Sequence, residues 1–274
     1  MDQGKRGAAF FDMDGTFFRR QLSLHWVMQL AATKDISRKA LERAMAAKAA
    51  WERREQSFRA YDRTLIDILI SQVKGVRAKA SITVGKKAAK QYGAHVHTFP
   101  RELAGAFTDT GRLTFAISGS PGDIVRPFAA QLGIHDIRAS EFVVGPDGCF
   151  TGEIQQDWIS RKNKGDAIQD LANTYNIDLK ESVAIGDTLS DVEMMKCVGY
   201  PICYNANPQM TEAVERRRWP MVIERAGSWT ILTWYGHAQH YMRIMNAASI
   251  LPYDIRRSFL ARATALHNEP KPAP

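Results

Sequence analysis

The chain of 274 residues is 45% hydrophobic and 24% charged, which suits one large globular domain or one domain with an insert. No window approaches about eighteen uninterrupted apolar residues and the first apolar stretch is too short for a signal peptide, so we expect a cytoplasmic protein without a spanning helix. The net charge of +8 is unevenly distributed, because residues 17–99 contain 17 Lys and Arg against 6 Asp and Glu.

Short strands alternate with helices over much of the chain. Strand-like apolar runs cover residues 8–15, 113–120 and 182–188, and each ends in small and polar residues. Helical stretches follow at 121–133, 161–176 and 188–199, and residues 142–154 alternate around GPDG as in a β-hairpin. This order predicts a doubly wound, Rossmann-like α/β core with a parallel sheet, in which ligands bind at the carboxyl ends of the strands.

An insert and an extension flank this predicted core. Residues 22–91 have apolar positions at helical spacing and predict several helices. We therefore expect a core domain of residues 1–18 and 100–225, a helical cap of residues 19–99, and a C-terminal extension of residues 226–274. The extension is helical in spacing, is broken at Pro252 and ends in a predicted disordered tail.

The extension also contains an aromatic and methionine-rich stretch, formed by Trp229, Trp234, Tyr235, Tyr241 and Met245. Packing onto the core domain or a partner subunit is the favoured interpretation. The alternative is a helix in the plane of a membrane, with headgroup contacts from Arg256, Arg257 and Arg262.

Two carboxylates directly follow the first apolar run, in the segment AAFFDMDGT. An aspartate at a strand end can attack phosphorus and form an aspartyl phosphate, which divides one difficult displacement into two easier ones. Asp12 is placed for that role. Asp14 faces the same opening, where a second carboxyl can protonate the leaving oxygen and later activate water. Gly15 permits the tight turn of the backbone that this arrangement requires.

A phosphoryl group at this site would need cations and hydrogen-bond donors. Asp187 and Asp191, in GDTLSD, offer hard oxygen ligands for Mg²⁺, and an N-cap role on the helix from residue 188 is compatible with metal binding. Lys164 supplies positive charge, Ser118 a hydroxyl and Gly119 an amide that can point at phosphate oxygens. An ordinary turn serine and a solvated lysine are the alternatives for Ser118 and Lys164.

Four segments in this order, FDMDGT, AISGS, NKGDA and GDTLSD, closely resemble the four motifs of the haloacid dehalogenase-like phosphohydrolases, over residues 8–223. The resemblance implies Asp12 as the nucleophile and Asp14 as the acid/base. It implies Ser118 and Lys164 as phosphate-binding residues.

The resemblance also implies a metal site and a branch of the family. Mg²⁺ would be bound by Asp12, the Asp14 carbonyl and Asp187, with Asp191 in support. The helical insert after the first motif, ISGSPGDIVRPFAAQLG and the hairpin resemble the phosphoserine phosphatase-like branch, and the bacterial HAD-IB hydrolases in particular. This branch implies a helical C1-type cap.

Two departures from the phosphoserine phosphatase pattern concern the substrate and the lysine. Those enzymes usually have an acidic residue for the substrate amine shortly after the first motif, where this chain has FFRRQLSLHW, which argues against phosphoserine. ISRKNKG replaces the usual CxGxxK and leaves Lys162 and Lys164 as candidates. Lys164 is preferred because the helix KGDAIQDLA follows it.

The sequence thus predicts a Mg²⁺-dependent phosphatase for a small phosphorylated metabolite, and leaves the substrate and the oligomeric state open. A phosphotransferase or mutase is one alternative. Another is a binding protein that uses the basic insert for nucleic acid or an anionic membrane, which the completeness of the carboxylate and lysine set argues against. Substrate steering and a solvated surface are equally open roles for the arginines of the insert, namely Arg19, Arg20, Arg53, Arg54, Arg59 and Arg63.

Overall fold

The core is a sheet of mainly parallel strands. The computed structural model describes residues 6–156, 161–225, 228–234, 242–244 and 250–268. The strands within these residues are β1 (Ala9–Asp12), β2 (Thr114–Pro121), β3 (Asp136–Val144), β4 (Phe150–Gln156), β5 (Val183–Gly186), β6 (Tyr200–Tyr204), β7 (Met221–Arg225), β8 (Ser228–Trp234) and β9 (Met242–Ile244).

The strands lie in the order β4-β3-β2-β1-β5-β6-β7-β8-β9. Neighbours from β3 through β7 are parallel, and β4, β8 and β9 extend the two edges by antiparallel pairing. All four residues of β1 are buried, and Asp12 is paired in register with Ile117 of β2. The predicted parallel sheet and the hairpin within residues 142–154 are confirmed.

Helices cover both faces of this sheet. Those in the described residues are α1 (Leu22–Ala32), α2 (Arg38–Glu52), α3 (Phe58–Val73), α4 (Ala78–Tyr92), α5 (Thr98–Asp109), α6 (Gly122–Gln131), α7 (Arg161–Tyr175), α8 (Val192–Lys196), α9 (Pro208–Arg217) and α10 (Tyr253–Asn268). None of these helices is both long and apolar enough to cross a membrane.

The alternation of side chains along β1 divides the apolar core into two layers. Phe11 lies in a cluster of buried residues that includes Phe107 of α5 and Phe128 of α6. Phe10 points to the opposite face, into a cluster that includes Ile168 of α7 and Met194 of α8. Burial of both faces explains why the strand sequence is a continuous apolar run.

Helices α1 to α4 lie within the predicted cap. Ser37 and Ser57 cap α2 and α3, since their side chains accept hydrogen bonds from the backbone N–H groups of Ala40 and Ala60. Buried Val84 of α4 belongs to the same apolar cluster as the core residues on that face of the sheet. The division into core and cap at residues 18/19 and 99/100 stays a prediction.

The helical spacing predicted from residue 226 onward is wrong for residues 228–234 and 242–244, which form β8 and β9. The segment WTILTW consists of aromatic, β-branched and Leu residues, and it pairs with the otherwise open edge of β7. The helix after Pro252 is confirmed as α10. Tyr235, Tyr241, Met245 and residues 269–274 of the predicted tail lie outside the described residues, as does the Trp234 side chain.

Candidate active site

The polar ends of three neighbouring strands meet at one edge of the sheet. Asp12 is the last residue of β1, Ser118 and Gly119 lie in the second half of β2, and Asp187 directly follows β5. Because β2, β1 and β5 are adjacent and parallel, their carboxyl ends lie side by side. The topology therefore brings together residues that are more than 170 positions apart.

Lys164 of α7 lies between two of the carboxylates. Its Nζ is 2.6 Å from Asp12 Oδ1 and 2.6 Å from Asp191 Oδ1, and all three residues are buried. Burial disfavours the ammonium, but Asp12 and Asp191 outweigh it and raise the pKa of Lys164. Burial also raises the pKa of Asp12, although Lys164 opposes that shift. The lysine is thus a fixed positive charge; the Lys162 side chain lies outside the described residues.

Asp14 lies in the turn that follows β1. Its Oδ2 accepts hydrogen bonds from the hydroxyls of Ser118 at 3.1 Å and Ser120 at 2.7 Å, and its Oδ1 accepts one from the backbone N–H of Leu22. Burial is the largest influence and raises the pKa of Asp14. The Leu22 contact connects this carboxyl to the first turn of α1.

The carboxylates of Asp12, Asp187 and Asp191 form the group that fits a metal ion. One oxygen from each lies within 4.8 Å of the others. Lys164 is their one ion-pair partner among the described residues, so a divalent cation would balance the remaining negative charge. Hard carboxylate oxygens are the donors that Mg²⁺ prefers. The residues present therefore fit the predicted ion.

Two local features fix the orientation of this group. Asp191 Oδ2 accepts hydrogen bonds from the backbone N–H groups of Asp187 at 3.2 Å and Thr188 at 3.0 Å, so its helix-capping role accompanies its contact with Lys164. Gly15 has φ +88°, and a Cβ at this position would lie 2.3 Å from Asp187 Oδ2. The turn after β1 therefore requires glycine for both its backbone conformation and its space.

A cavity of about 840 Å³ lies over the strand ends and under α3 of the insert. On the core side, Asp12, Asp14, Gly119, Ser120 and Lys164 line it. Ser118 is fully buried, and its hydroxyl is directed to Asp14. The remaining lining residues are Gln21, Ser23, Phe58, Arg59, Asp62, Arg63, Leu65, Ile66, Asp67, Leu69, Thr188, Leu189, Ser190, Asn207 and Gln209.

The six arginines of the insert for which the sequence left steering and a solvated surface equally open have different surroundings. Arg59 and Arg63 line the cavity. Arg19 donates to Val96 O and to Glu224 Oε1, and Arg53 pairs with Glu55, so these two are engaged elsewhere. Arg20 and Arg54 are exposed and do not line the cavity.

Sequence reasoning missed four residues of the site: Thr16, Asp62, Ser120 and Asn207. Thr16 donates to Asp187 Oδ1 at 3.3 Å, and Ser120 donates to Asp14. Asn207 follows β6 in the segment YNANP. The pattern of an apolar strand with a polar end could therefore have identified it from the sequence. Asp62 had no such signal, since it lies on a helix of the insert.

The sheet of mainly parallel strands, with helices on both faces and a group of carboxylates at the carboxyl ends of the strands, defines a doubly wound α/β protein with a candidate active site at that edge. The family profile of the haloacid dehalogenase-like hydrolases matches residues 9–196, and the chain belongs to this family. The prediction of a haloacid dehalogenase-like phosphatase is confirmed at the level of family and enzyme class.

Curated relatives are similar to this chain in sequence, and a solved structure is similar to it in fold. The chain is 29% identical over 229 residues to an inhibition of morphological differentiation protein of Streptomyces azureus, a match that covers 79% of this chain and 78% of the relative. It is 24% identical over 211 residues to the phosphoserine phosphatase of Methanocaldococcus jannaschii, with 77% and 91% covered. The structure of a phospho-aspartyl intermediate analogue of phosphoserine phosphatase shares the fold, with a TM-score of 0.54 at 20% identity over 76% of this chain and 90% of that one.

Proposed function

We propose that the protein is a Mg²⁺-dependent phosphatase that hydrolyses a small phosphomonoester through an aspartyl phosphate on Asp12. The observation that carries the proposal is the buried ion pair of Lys164 with both Asp12 and Asp191 at the floor of a large cavity. A carboxylate at a strand end that is exposed to a cavity and held beside a positive charge is suited to attack phosphorus.

In the first step, an oxygen of Asp12 attacks phosphorus and the bond from phosphorus to the ester oxygen breaks. The leaving oxygen takes its proton from Asp14, because burial raises the pKa of the Asp14 carboxyl and favours its protonated form. Ser118 and Ser120 hold that carboxyl toward the cavity by their hydrogen bonds.

In the second step, a water molecule attacks the phosphorus of the aspartyl phosphate. The Asp14 carboxylate accepts a proton from this water, the bond from phosphorus to Asp12 breaks, and inorganic phosphate leaves. Asp14 thereby regains the proton that it donated to the leaving group, and both residues return to their initial states.

The surrounding groups bind the phosphoryl oxygens and balance their charge. Lys164 supplies a positive charge and Gly119 a backbone N–H, while Ser118 acts chiefly on Asp14. Asp12, Asp187 and the Asp14 carbonyl would hold Mg²⁺, with Asp191 in support. When bound, the ion supplies positive charge for the phosphoryl group and the carboxylates around it.

The substrate that we propose is a small phosphorylated metabolite in the cytoplasm. The cavity of about 840 Å³ has room for such a molecule under α3. Relatives named phosphoserine phosphatase support this substrate class.

The proposal is tested by phosphate release from a panel of phosphomonoesters, including p-nitrophenyl phosphate, with Mg²⁺ and with EDTA. We expect metal-dependent release by the wild type and a loss of at least about 1,000-fold in kcat for Asp12→Asn, because the amide cannot act as the nucleophile. Circular dichroism provides the control that the variant is folded.

Substantial turnover by folded Asp12→Asn would contradict the assignment of Asp12. Transfer of the phosphoryl group to a sugar hydroxyl without free phosphate would instead identify a phosphotransferase. Release that EDTA leaves unchanged would contradict the metal requirement.

A further inference from the structure

Two serine hydroxyls connect the Asp14 carboxyl to the first turn of α1. Ser120 Oγ lies 2.7 Å from Asp14 Oδ2, and Ser23 Oγ lies 2.6 Å from Ser120 Oγ. Ser120 is buried and Ser23 is half-buried, and both line the cavity. The proposed chemistry gives Ser23 no role, although only one hydroxyl separates it from the acid/base.

The direction of these hydrogen bonds follows from the number of protons. A serine hydroxyl has one proton to donate and two lone pairs that accept. When Asp14 is ionised, the one proton of Ser120 is directed to Asp14 Oδ2, so Ser23 donates the bond between the two serines. Ser23 thereby fixes the rotation of the Ser120 hydroxyl and strengthens it as a donor to the carboxylate.

The other oxygen of the carboxyl is held by the same turn of α1. Asp14 Oδ1 accepts a hydrogen bond from the backbone N–H of Leu22, a group that can only donate. A proton on the carboxyl therefore belongs on Oδ2, which faces the hydroxyls of Ser118 and Ser120. The first turn of α1 thus acts on both oxygens, on one directly and on the other through Ser120.

A contact that only joined α1 to β2 would not require this chain of hydroxyls. Apolar side chains could make such a contact, because a hydrogen bond between two neutral groups adds little net stability. A chain of hydroxyls that ends on a carboxyl instead fixes the orientation of that carboxyl. Proton transfer to a leaving group depends on this orientation.

We propose that Ser23 is a positioning residue which, through Ser120, orients the Asp14 carboxyl to protonate the leaving oxygen. This inference rests on the proposed function. In the transfer, the bond between Asp14 Oδ2 and its proton breaks and that proton bonds to the leaving oxygen, while Ser23 and Ser120 keep their own protons. A strongly basic leaving group depends on this proton, whereas p-nitrophenolate leaves without one.

The test compares Ser23→Ala with the matched control Ser71→Ala, a change at an exposed serine of α3 whose hydroxyl donates to the backbone carbonyl of Ile68. The measured quantity is kcat/KM, which reports the steps up to the aspartyl phosphate. The substrates are p-nitrophenyl phosphate, phenyl phosphate, which lacks only the nitro group, and glycerol phosphate or the alkyl phosphate of the panel that the wild type hydrolyses fastest.

We expect Ser23→Ala to lower kcat/KM less than about twofold for p-nitrophenyl phosphate and about 5- to 20-fold for the alkyl phosphate. Phenyl phosphate should show an intermediate loss, because phenolate is the stronger base of the two aryl leaving groups. Ser71→Ala should change none of the three values.

Two further variants separate positioning from a structural role. Ser23→Thr keeps the hydroxyl and should recover most of the kcat/KM that Ser23→Ala loses. Ser23→Ala/Ser120→Ala should be no slower on the alkyl phosphate than Ser120→Ala, because Ser23 acts through Ser120. The melting temperature of each variant shows whether the fold is retained.

An equal loss of kcat/KM for all three substrates would overturn the proposal, as would independent, additive losses in the double variant. Either result beside an active wild type would leave the proposed hydrolysis intact. If the wild type releases phosphate from no compound of the panel, the proposed function fails and the role of Ser23 fails with it.

Discussion

Lys164 and the carboxylates around it form a buried charged group whose presence is not explained by stability. Buried ion pairs contribute little net stability, because each charge loses its hydration on burial. Three buried or partly buried carboxylates with one lysine are therefore a costly arrangement that a purely structural core would replace with apolar side chains. The arrangement is explained if it supplies a nucleophile and a metal site.

Gly15 lies against the side chain of Asp187 and leaves no space for a Cβ. Gly15→Ala would place a methyl group 2.3 Å from Asp187 Oδ2 at a backbone φ of +88°, so that Asp187 must move. We expect kcat/KM to fall about 10- to 100-fold and the Mg²⁺ concentration for half-maximal activity to rise. Gly148→Ala is the control, because Gly148 has φ +75° and a Cβ added there would meet no atom within 4 Å. Equal effects of both substitutions would show that backbone strain alone is responsible.

Glu224 is a second buried carboxylate, but it is fully engaged. It lies on β7 and accepts hydrogen bonds from the backbone N–H groups of Thr98 at 3.0 Å and Phe99 at 2.8 Å, and from Tyr204 Oη at 2.8 Å. Arg19 donates to it at 3.2 Å. The carboxylate thus binds the N-terminus of α5 and connects it to Arg19 at the start of the insert and to Tyr204 of β6.

These bonds predict how stability depends on pH. Burial would raise the pKa of Glu224, but the hydrogen bonds outweigh it and lower the pKa to about 2, from an ordinary value of 4.5 for a glutamate. The depressed pKa means that the stabilisation is present above about pH 4.5 and is lost as the pH falls toward 2. We expect Glu224→Gln to lower the free energy of unfolding by about 1–3 kcal/mol at pH 7, and by less at about pH 3.

Urea unfolding at the two pH values measures this difference. Glu215→Gln is the control, since Glu215 is exposed on α9. A deficit in Glu224→Gln that is the same at both pH values would show that the charge of the carboxylate is not the source of the stabilisation.

At the scale of elements, α10 lies beyond the residues that the family profile matches and packs against α5, which lies within them. Phe259 of α10 is fully buried, with its ring centroid 5.2 Å from that of Phe99 and 6.0 Å from that of Trp229. Arg262 adds ion pairs to Glu102 at 2.9 Å and Asp109 at 3.2 Å. The extension therefore completes the apolar layer on this face of the sheet.

Phe259→Ala should accordingly destabilise the protein by about 3–5 kcal/mol, because it leaves a cavity among aromatic rings. Leu260→Ala on the same helix is the control, with Leu260 36% exposed and an expected effect below about 1 kcal/mol. Chemical unfolding measures both. A small effect of Phe259→Ala would mean that α10 contributes little to the stability of the core.

At the scale of the whole molecule, the charge is divided between two parts. Residues 17–99 have a net charge near +11 and the remainder is slightly acidic. Helix α3 of this basic segment forms a wall of the cavity, and the two arginines and two aspartates that it contributes there balance in charge. The net positive charge of the segment as a whole would attract a dianionic phosphate toward the cavity.

We therefore expect kcat/KM to fall about 3- to 10-fold when the ionic strength is raised from about 0.05 M to about 0.5 M. Arg63→Gln should reduce this dependence on salt, because Arg63 lines the cavity. Arg38→Gln removes the same charge from an exposed position on α2 and should reduce it less. An equal dependence of kcat/KM on ionic strength in both variants would indicate an effect of net charge rather than of local steering.

Much of this protein follows from local patterns in the sequence. Continuous apolar runs that end in Asp12 and Asp187 indicated buried parallel strands, because a strand covered on both faces has no polar side. The spacing of apolar residues indicated the helices of the insert. The four motifs supplied the family, since their residue types and order depend on the chemistry of a phosphoryl group.

Other features depended on contacts between distant segments. The strands β8 and β9 form because the open edge of β7 offers backbone hydrogen-bond partners. The spacing of apolar residues within the segment carries no information about such an edge. The partners of Asp14, the hydrogen bonds of Glu224 and the presence of Asp62 in the cavity wall depend on the position of the insert over the sheet. The sequence by itself determined the family and the residues that we propose for the chemistry, because the motifs that contain them are local, whereas the tertiary structure alone decided which side chains meet across the cavity.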